Sequence, residues 1–223
     1  MSENSNTPST QKPRHGRRRL AAPVLVAGVA ASALLGLSFT PTFSAFVASI
    51  QNSVNTAGTG YLTMQESSGS TVCNSTDGGS VSTNSATCST INKYGGNLTM
   101  VPGQSTTTAI TVTNTGTVDA SSFTLTPGAC TQSTNGSLNG SATDLCSKLD
   151  VVITAGSEGG TTIFRGTAAE LASGGAVNVP APLAPVKAGV SVPISISVTI
   201  DSSAGSSYQG LAASQPLTWT FTS

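Results

Sequence analysis

The sequence predicts an all-β protein, an antiparallel β-sandwich of jelly-roll type with one or two short helices. Beyond residue 45, Ser, Thr, Gly and Asn dominate the polar positions, a composition that favours strands and turns. Val, Ile and Leu come in short clusters that alternate with small polar residues, the period-two signature of a half-buried strand. A single short stretch reads as helix. Many short one-sided strands bury their apolar faces by stacking in two layers.

The clearest strand is 190–200. Val190, Val192, Ile194, Ile196, Val198 and Ile200 share one face, with Ser191, Pro193, Ser195, Ser197 and Thr199 on the other. Pro193 cannot donate to a ladder, so this strand is expected at a sheet edge or with a bulge near its start. The chain end repeats the pattern, with Leu217, Trp219 and Phe221 inward and Thr218, Thr220 and Thr222 outward. Strands are also expected at 109–113 (Ile110 and Val112 inward) and 121–126 (Phe123 and Leu125 inward), linked through Asn114-Thr115-Gly116. Further strands are expected at 149–154, 161–165 and 61–66. The helix is expected at 167–172, where Thr167 caps the first turn and Glu170, three residues on, completes a capping box.

The N-terminus is of a different kind. Lys12, Arg14, Arg17, Arg18 and Arg19 form a basic region at 12–19, and an uncharged apolar run follows at 20–37. Small residues come next, the order of an export signal occupying 1–45. Cleavage after Ser44 places Thr42 at minus three, and cleavage after Ala45 begins the product at Phe46; the residues allow both. The alternative is a retained anchor over 20–39, since the apolar run is just long enough to span a bilayer. Removing 1–45 leaves one domain, 46–223, with four basic residues against eight acidic, net minus four. A sparsely charged acidic product has no electrostatic footprint for nucleic acid.

Cys73, Cys88, Cys130 and Cys146 all follow the signal, in stretches rich in Ser, Thr, Asn and Gly that read as loops. Pairing between sequence neighbours, 73 with 88 and 130 with 146, is the simplest of the three connectivities. Each such bridge would contribute about 3 kcal/mol by the chain-entropy argument. Disulfides imply an oxidising, extracellular or cell-surface location. A zinc site would need C-x-x-C spacing or histidine partners, and the sole histidine, His15, lies in the signal. Its removal also excludes Ser-His-Asp, Cys-His and H-E-x-x-H machinery, so no catalytic, cofactor or metal residues are expected. The acidic residues read as solvated charges that keep the surface soluble.

Four segments, in order, resemble the TasA/camelysin family of secreted bacterial surface and biofilm-matrix proteins. They are the Ser44-Ala45-Phe46 junction followed by Gly60-Tyr61-Leu62-Thr63-Met64, and Val101-Pro102-Gly103-Gln104 followed by the strand ending Asn114-Thr115-Gly116. The others are Leu145-Cys146-Ser147-Lys148-Leu149 and the late Ser207-Tyr208-Gln209-Gly210. The four cysteines and the sparse charge depart from the family's pattern. The resemblance implies a jelly-roll sandwich, processing by a dedicated signal peptidase, and a place in a surface or matrix assembly. It further implies that the segment opened by processing can be donated as a strand to the next subunit. Phe46, Ile50 and Val54 are the apolar residues of that segment, although their spacing in fours also suits a short helix. The family's peptidase label does not carry over, because a mature chain without histidine lacks the usual zinc ligands. Two functions are therefore expected to compete. One is a structural subunit that associates with itself or with other matrix proteins, and the other is a monomeric binding module displayed at the cell surface.

Overall fold

The structure, a computed structural model, describes residues 59–157 and 159–223. The expected signal segment 1–45, the junction Ser44, Ala45 and Phe46, and the assembly residues Phe46, Ile50 and Val54 lie outside the described residues.

The described chain is an antiparallel β-sandwich. Its strands are β1 (Met64–Ser68), β2 (Thr71–Asn74), β3 (Ser105–Asn114), β4 (Ser122–Pro127), β5 (Thr131–Thr134) and β6 (Leu149–Ala155), then β7 (Thr161–Thr167), β8 (Val177–Asn178), β9 (Ser191–Ile200), β10 (Leu211–Ser214) and β11 (Leu217–Thr222). One six-stranded sheet runs β2-β1-β3-β9-β6-β7; a three-stranded sheet runs β11-β4-β8; β10 and β5 form a separate ribbon. Sequence neighbours such as β3 and β4, or β8 and β9, belong to different sheets, so the chain passes back and forth between layers.

Alternation drives this arrangement. Ile110 and Val112 of β3, Val151 and Ile153 of β6, and Val192 to Val198 of β9 at every second position are buried from the large sheet. Phe123, Leu125, Leu217 and Trp219 are buried from the small one, within one core cluster. Phe123 lies 5.3 Å from Trp219 at a tilt of 47° and edge-on at 4.8 Å to Phe221, joining β4 to β11 by aromatic contacts. The outward face of β3 and β9 is a hydroxyl ladder, with Ser105 bonded to Thr199 at 2.6 Å and Thr113 to Ser191 at 2.8 Å.

Helix α1 (Ala168–Ser173) begins at the expected cap. Glu170 N donates to Thr167 Oγ1 at 3.1 Å, and Thr167 N donates to Glu170 Oε2 at 2.7 Å. The helix buries Ala168 and Leu171 in the core.

Three expectations need correction. Pro193 sits in a central strand, because β9 pairs with β3 on one side and β6 on the other. It is tolerated because N and C=O of one strand residue face the same neighbour. The Pro193 carbonyl accepts from Gly156 N at 2.8 Å, so its missing N–H points to the same side, just beyond Ala155 where β6 has ended.

The first strand begins later than 61. Tyr61, Leu62 and Thr63 instead hang on the turn after β3, through Thr115 N to Thr63 O (3.0 Å) and Thr117 N to Tyr61 O (2.8 Å). Gly116 is required there, since a Cβ would overlap the backbone of Tyr61 to Thr63. Asn114 organises the turn: buried, it donates to Val118 O and Val186 O and accepts from Gly116 N.

Finally, two cysteines are not in loops. Cys73 belongs to β2 and Cys146 to a 3-10 turn (Leu145–Ser147). The pairing itself is local, Cys73 with Cys88 and Cys130 with Cys146, at Cα separations of 5.9 and 6.1 Å.

Candidate functional site

The two disulfides mark two ends of different character. Around Cys130–Cys146 the loops are knitted closed. Gln132 bridges them, donating to Ala142 O at 2.6 Å and accepting from Leu145 N at 2.8 Å. The Tyr208-Gln209-Gly210 turn packs on the same loops through Gly140 N to Gln209 O (2.7 Å). Tyr208 donates to Asp144 at 2.7 Å, a bond to a carboxylate that raises its phenol above the ordinary value.

Around Cys73–Cys88 the sandwich stays open. A cleft of about 590 Å³ lies between β1, the disulfide-tied stretch leading to Tyr94, and the strand β11. Residues 217–221 line it consecutively, inward and outward positions alike, as a strand edge does.

The hydrogen-bond register identifies which backbone groups that edge presents. Pro216 O accepts from Gly128 N, so the even-numbered residues of β11 face β4; the Ser121 hydroxyl on Thr222 O agrees. Phe123, opposite Phe221, turns its carbonyl the other way, to Val179 N at 2.9 Å. Leu217, Trp219 and Phe221 therefore direct their N–H and C=O groups away from β4, into the cleft. Among the described residues no backbone group bonds to them there.

The cleft also holds polar groups in a buried setting. Glu66 was expected among solvated charges. Instead it lies on the inward face of β1, in register with Val112. Lys93 Nζ approaches Glu66 Oε1 at 2.8 Å, and their side chains are only 11 and 12 % exposed. The contact is electrostatic without hydrogen-bond alignment, so Glu66 Oε1 counts as a buried acceptor lacking a donor. Such a pair is weak evidence of stabilisation, because desolvating two charges offsets their attraction. Tyr94 donates to Gln215, and burial pushes its phenol well above the usual range, so the hydroxyl stays protonated as a donor. Trp219 Nε1 is buried with no acceptor among the described residues.

Sequence reasoning placed Trp219 and Phe221 inward and paired the cysteines as found. It did not bring Glu66, Lys93, Tyr94 and Trp219 together. Glu66 carried one signal, an acid inside the expected strand 61–66. Among the described residues no group of three His, Cys, Asp or Glu side chains gathers as a metal site would need. No helix among them is long and apolar enough to cross a membrane. Both cysteine pairs are disulfides, the state favoured by an oxidising compartment. No protein-family model matches the sequence, and no curated protein matches it.

Proposed function

We propose that the protein is an exported structural subunit of a surface or extracellular-matrix assembly, not an enzyme, and that copies join by strand donation. The segment beginning at Phe46, freed by signal cleavage at Ser44 or Ala45, adds to the edge of β11 in a neighbouring copy. The observation that carries this reading is the open edge itself. Three residues of β11 offer N–H and C=O groups that no described residue pairs, along a cleft of mixed polar and apolar lining. An extended peptide supplies what such an edge lacks, main-chain partners and side chains for alternate pockets. A donor on one face and an acceptor on another make a head-to-tail contact, which grows into a filament when it does not close. The order of segments that resembles the TasA/camelysin family supports the same reading, as does the signal-like sequence of 1–45.

The test is to determine the N-terminus of the exported protein and image it by electron microscopy across a concentration series. Filaments are expected from the chain that begins at 45 or 46, and none from one lacking 46–58. Equal polymerisation of the two would end the strand-donation reading.

A monomeric surface-displayed binding module is the second reading. The mixed lining of the cleft favours it, with Tyr94 and Trp219 beside Asn84, Asn92 and Gln215. It predicts a monomer at all concentrations whose cleft takes a small polar ligand.

A further inference from the structure

The sequence holds two Asn-Gly pairs, Asn135-Gly136 and Asn139-Gly140, both in the loop between β5 and the 3-10 turn at Leu145–Ser147. An Asn-Gly pair can react with itself. The glycine's backbone nitrogen, unhindered by a neighbouring Cβ, reaches the asparagine Cγ and closes a five-membered ring. The fold decides which of the two pairs is free to do so.

Asn139 and Gly140 are pinned. Asn139 Oδ1 accepts from Asn135 N at 3.2 Å, and Asn139 Nδ2 donates to Gly136 O at 3.1 Å. Gly140 N, the attacking atom, donates to Gln209 O at 2.7 Å. The surroundings are tight as well, since a Cβ at Gly140 would overlap the carbonyl of Ser207. This pair reacts only after three hydrogen bonds break and a packed backbone gives way.

Asn135 and Gly136 differ on each count. Among the described residues Gly136 N donates to no group and Asn135 Oδ1 accepts from none. The side chain is held only through Nδ2, which donates to Leu98 O at 2.8 Å, and Nδ2 is the atom that leaves. Gly136 is exposed, and a Cβ built on it would meet nothing within 4 Å, so ring closure has room. Its φ of 104° favours glycine, so the residue that makes the turn also permits the attack.

We propose that Asn135 is a self-modification site, where the folded chain loses ammonia and becomes aspartate or isoaspartate while Asn139 is spared. Gly136 N bonds to Asn135 Cγ as the Cγ–Nδ2 bond breaks, and the proton from Gly136 N leaves with Nδ2 as ammonia. Water then adds to one of the two ring carbonyls. Opening on one side leaves aspartate; opening on the other leaves isoaspartate, with the main chain running through the side-chain carbons. Water is the sole co-reactant, and nothing is oxidised or reduced.

The product undoes a tie. Asn135 Nδ2 holds the Leu98 carbonyl, and the carboxylate that replaces the amide has no proton to give it. In isoaspartate the chain also gains an atom between two anchors, Asn135 N on Gly210 O at 2.7 Å and Gly140 N on Gln209 O. The aged chain therefore carries one more negative charge and a looser stretch at 97–103. This holds whether the protein assembles or stays a monomer.

The experiment ages the purified exported protein in warm, mildly alkaline buffer beside a sample in urea, until both pairs in the urea sample have converted. Peptide mass spectrometry then reads each site. In the folded sample Asn135 should convert at least about fivefold faster than Asn139, the factor one net hydrogen bond is worth. Equal rates there, faster conversion of Asn139, or an intact Asn135 would overturn the proposal. Hydrogen exchange at 97–103 should quicken about fivefold in Asn135→Asp by the same reckoning. If that variant does not fold, the aged wild type, separated by anion exchange, serves in its place. Unchanged exchange at 97–103 in the modified protein would overturn the release of the loop.

Discussion

The middle of the sandwich and its β11 edge are assembled from the same short strands, yet they treat polar groups in opposite ways. In the middle, β3, β9 and β6 bury Ile, Val and Ala side chains, and the buried amide of Asn114 has every partner it needs. At the edge, a buried ion pair is misaligned, and among the described residues an indole N–H has no acceptor and a strand has no partner on one side. A polar group left unsatisfied inside a protein costs stability, and a well-packed interior a few residues away shows that this sequence can avoid the expense. The difference teaches that polar satisfaction is not uniform in this fold: the middle meets it within the described residues and the edge does not.

That contrast can be broken by substitution. Ile196→Ala, in the wholly buried centre of β9, should lose about 4 kcal/mol in chemical denaturation, since a cavity there has no route to collapse. At the edge, Lys93→Met alone should cost about 3 kcal/mol by stranding the Glu66 charge. The double variant Glu66→Met with Lys93→Met should return to within about 1 kcal/mol of the wild type. If the double change is as damaging as the single one, the ion pair is structural and the contrast dissolves. Replacing Cys73 and Cys88 together by Ala should lose about 3 kcal/mol and loosen the cleft wall, read as faster hydrogen exchange between residues 75 and 94.

Smaller effects belong to the closed side. Thr167→Ala should cost about 1 kcal/mol in chemical denaturation by uncapping α1. Glu170 supplies the pH counterpart. Hydrogen bonds from Thr167, backbone first, hold its carboxyl below the ordinary value. A group whose pKa is depressed on folding binds its proton less tightly in the native state. Its stabilisation is present above the unfolded value of about 4.3 and lost as the pH falls through the folded one. A melting temperature that drops below that pH in the wild type and stays flatter in Glu170→Gln would confirm the assignment.

Much of the fold away from the cleft was legible because local pattern and tertiary structure agree there. The alternation from Val192 to Ile200 matches β9, although Val190, expected inward, lies before the strand and is exposed, and Thr167 with Glu170 gave the helix start to the residue. Pro193 was misplaced because the rule against proline in central strands assumes both neighbours run its full length, and β6 stops at Ala155. The short strands β2, β5, β8 and β10 escaped notice because Thr-Val-Cys-Asn or Leu-Ala-Ala-Ser has no periodicity long enough to read. Their pairing comes from the strands beside them. The cleft was illegible for a related reason: Glu66, Lys93 and Trp219 are brought together only by the crossing of the chain between layers.

The local pairing of the cysteines has a mechanical side. Each bridge encloses a stretch of the chain, with sequence separations of 15 and 16. When the chain is pulled from its ends, an oxidised bridge withholds about 50 Å of contour length from the unravelling chain. Two segments of fixed size stay out of reach of the load. Reduction would thus lengthen the fully extended chain by about 100 Å, making the redox state of the surroundings a determinant of how far the unravelled domain can stretch.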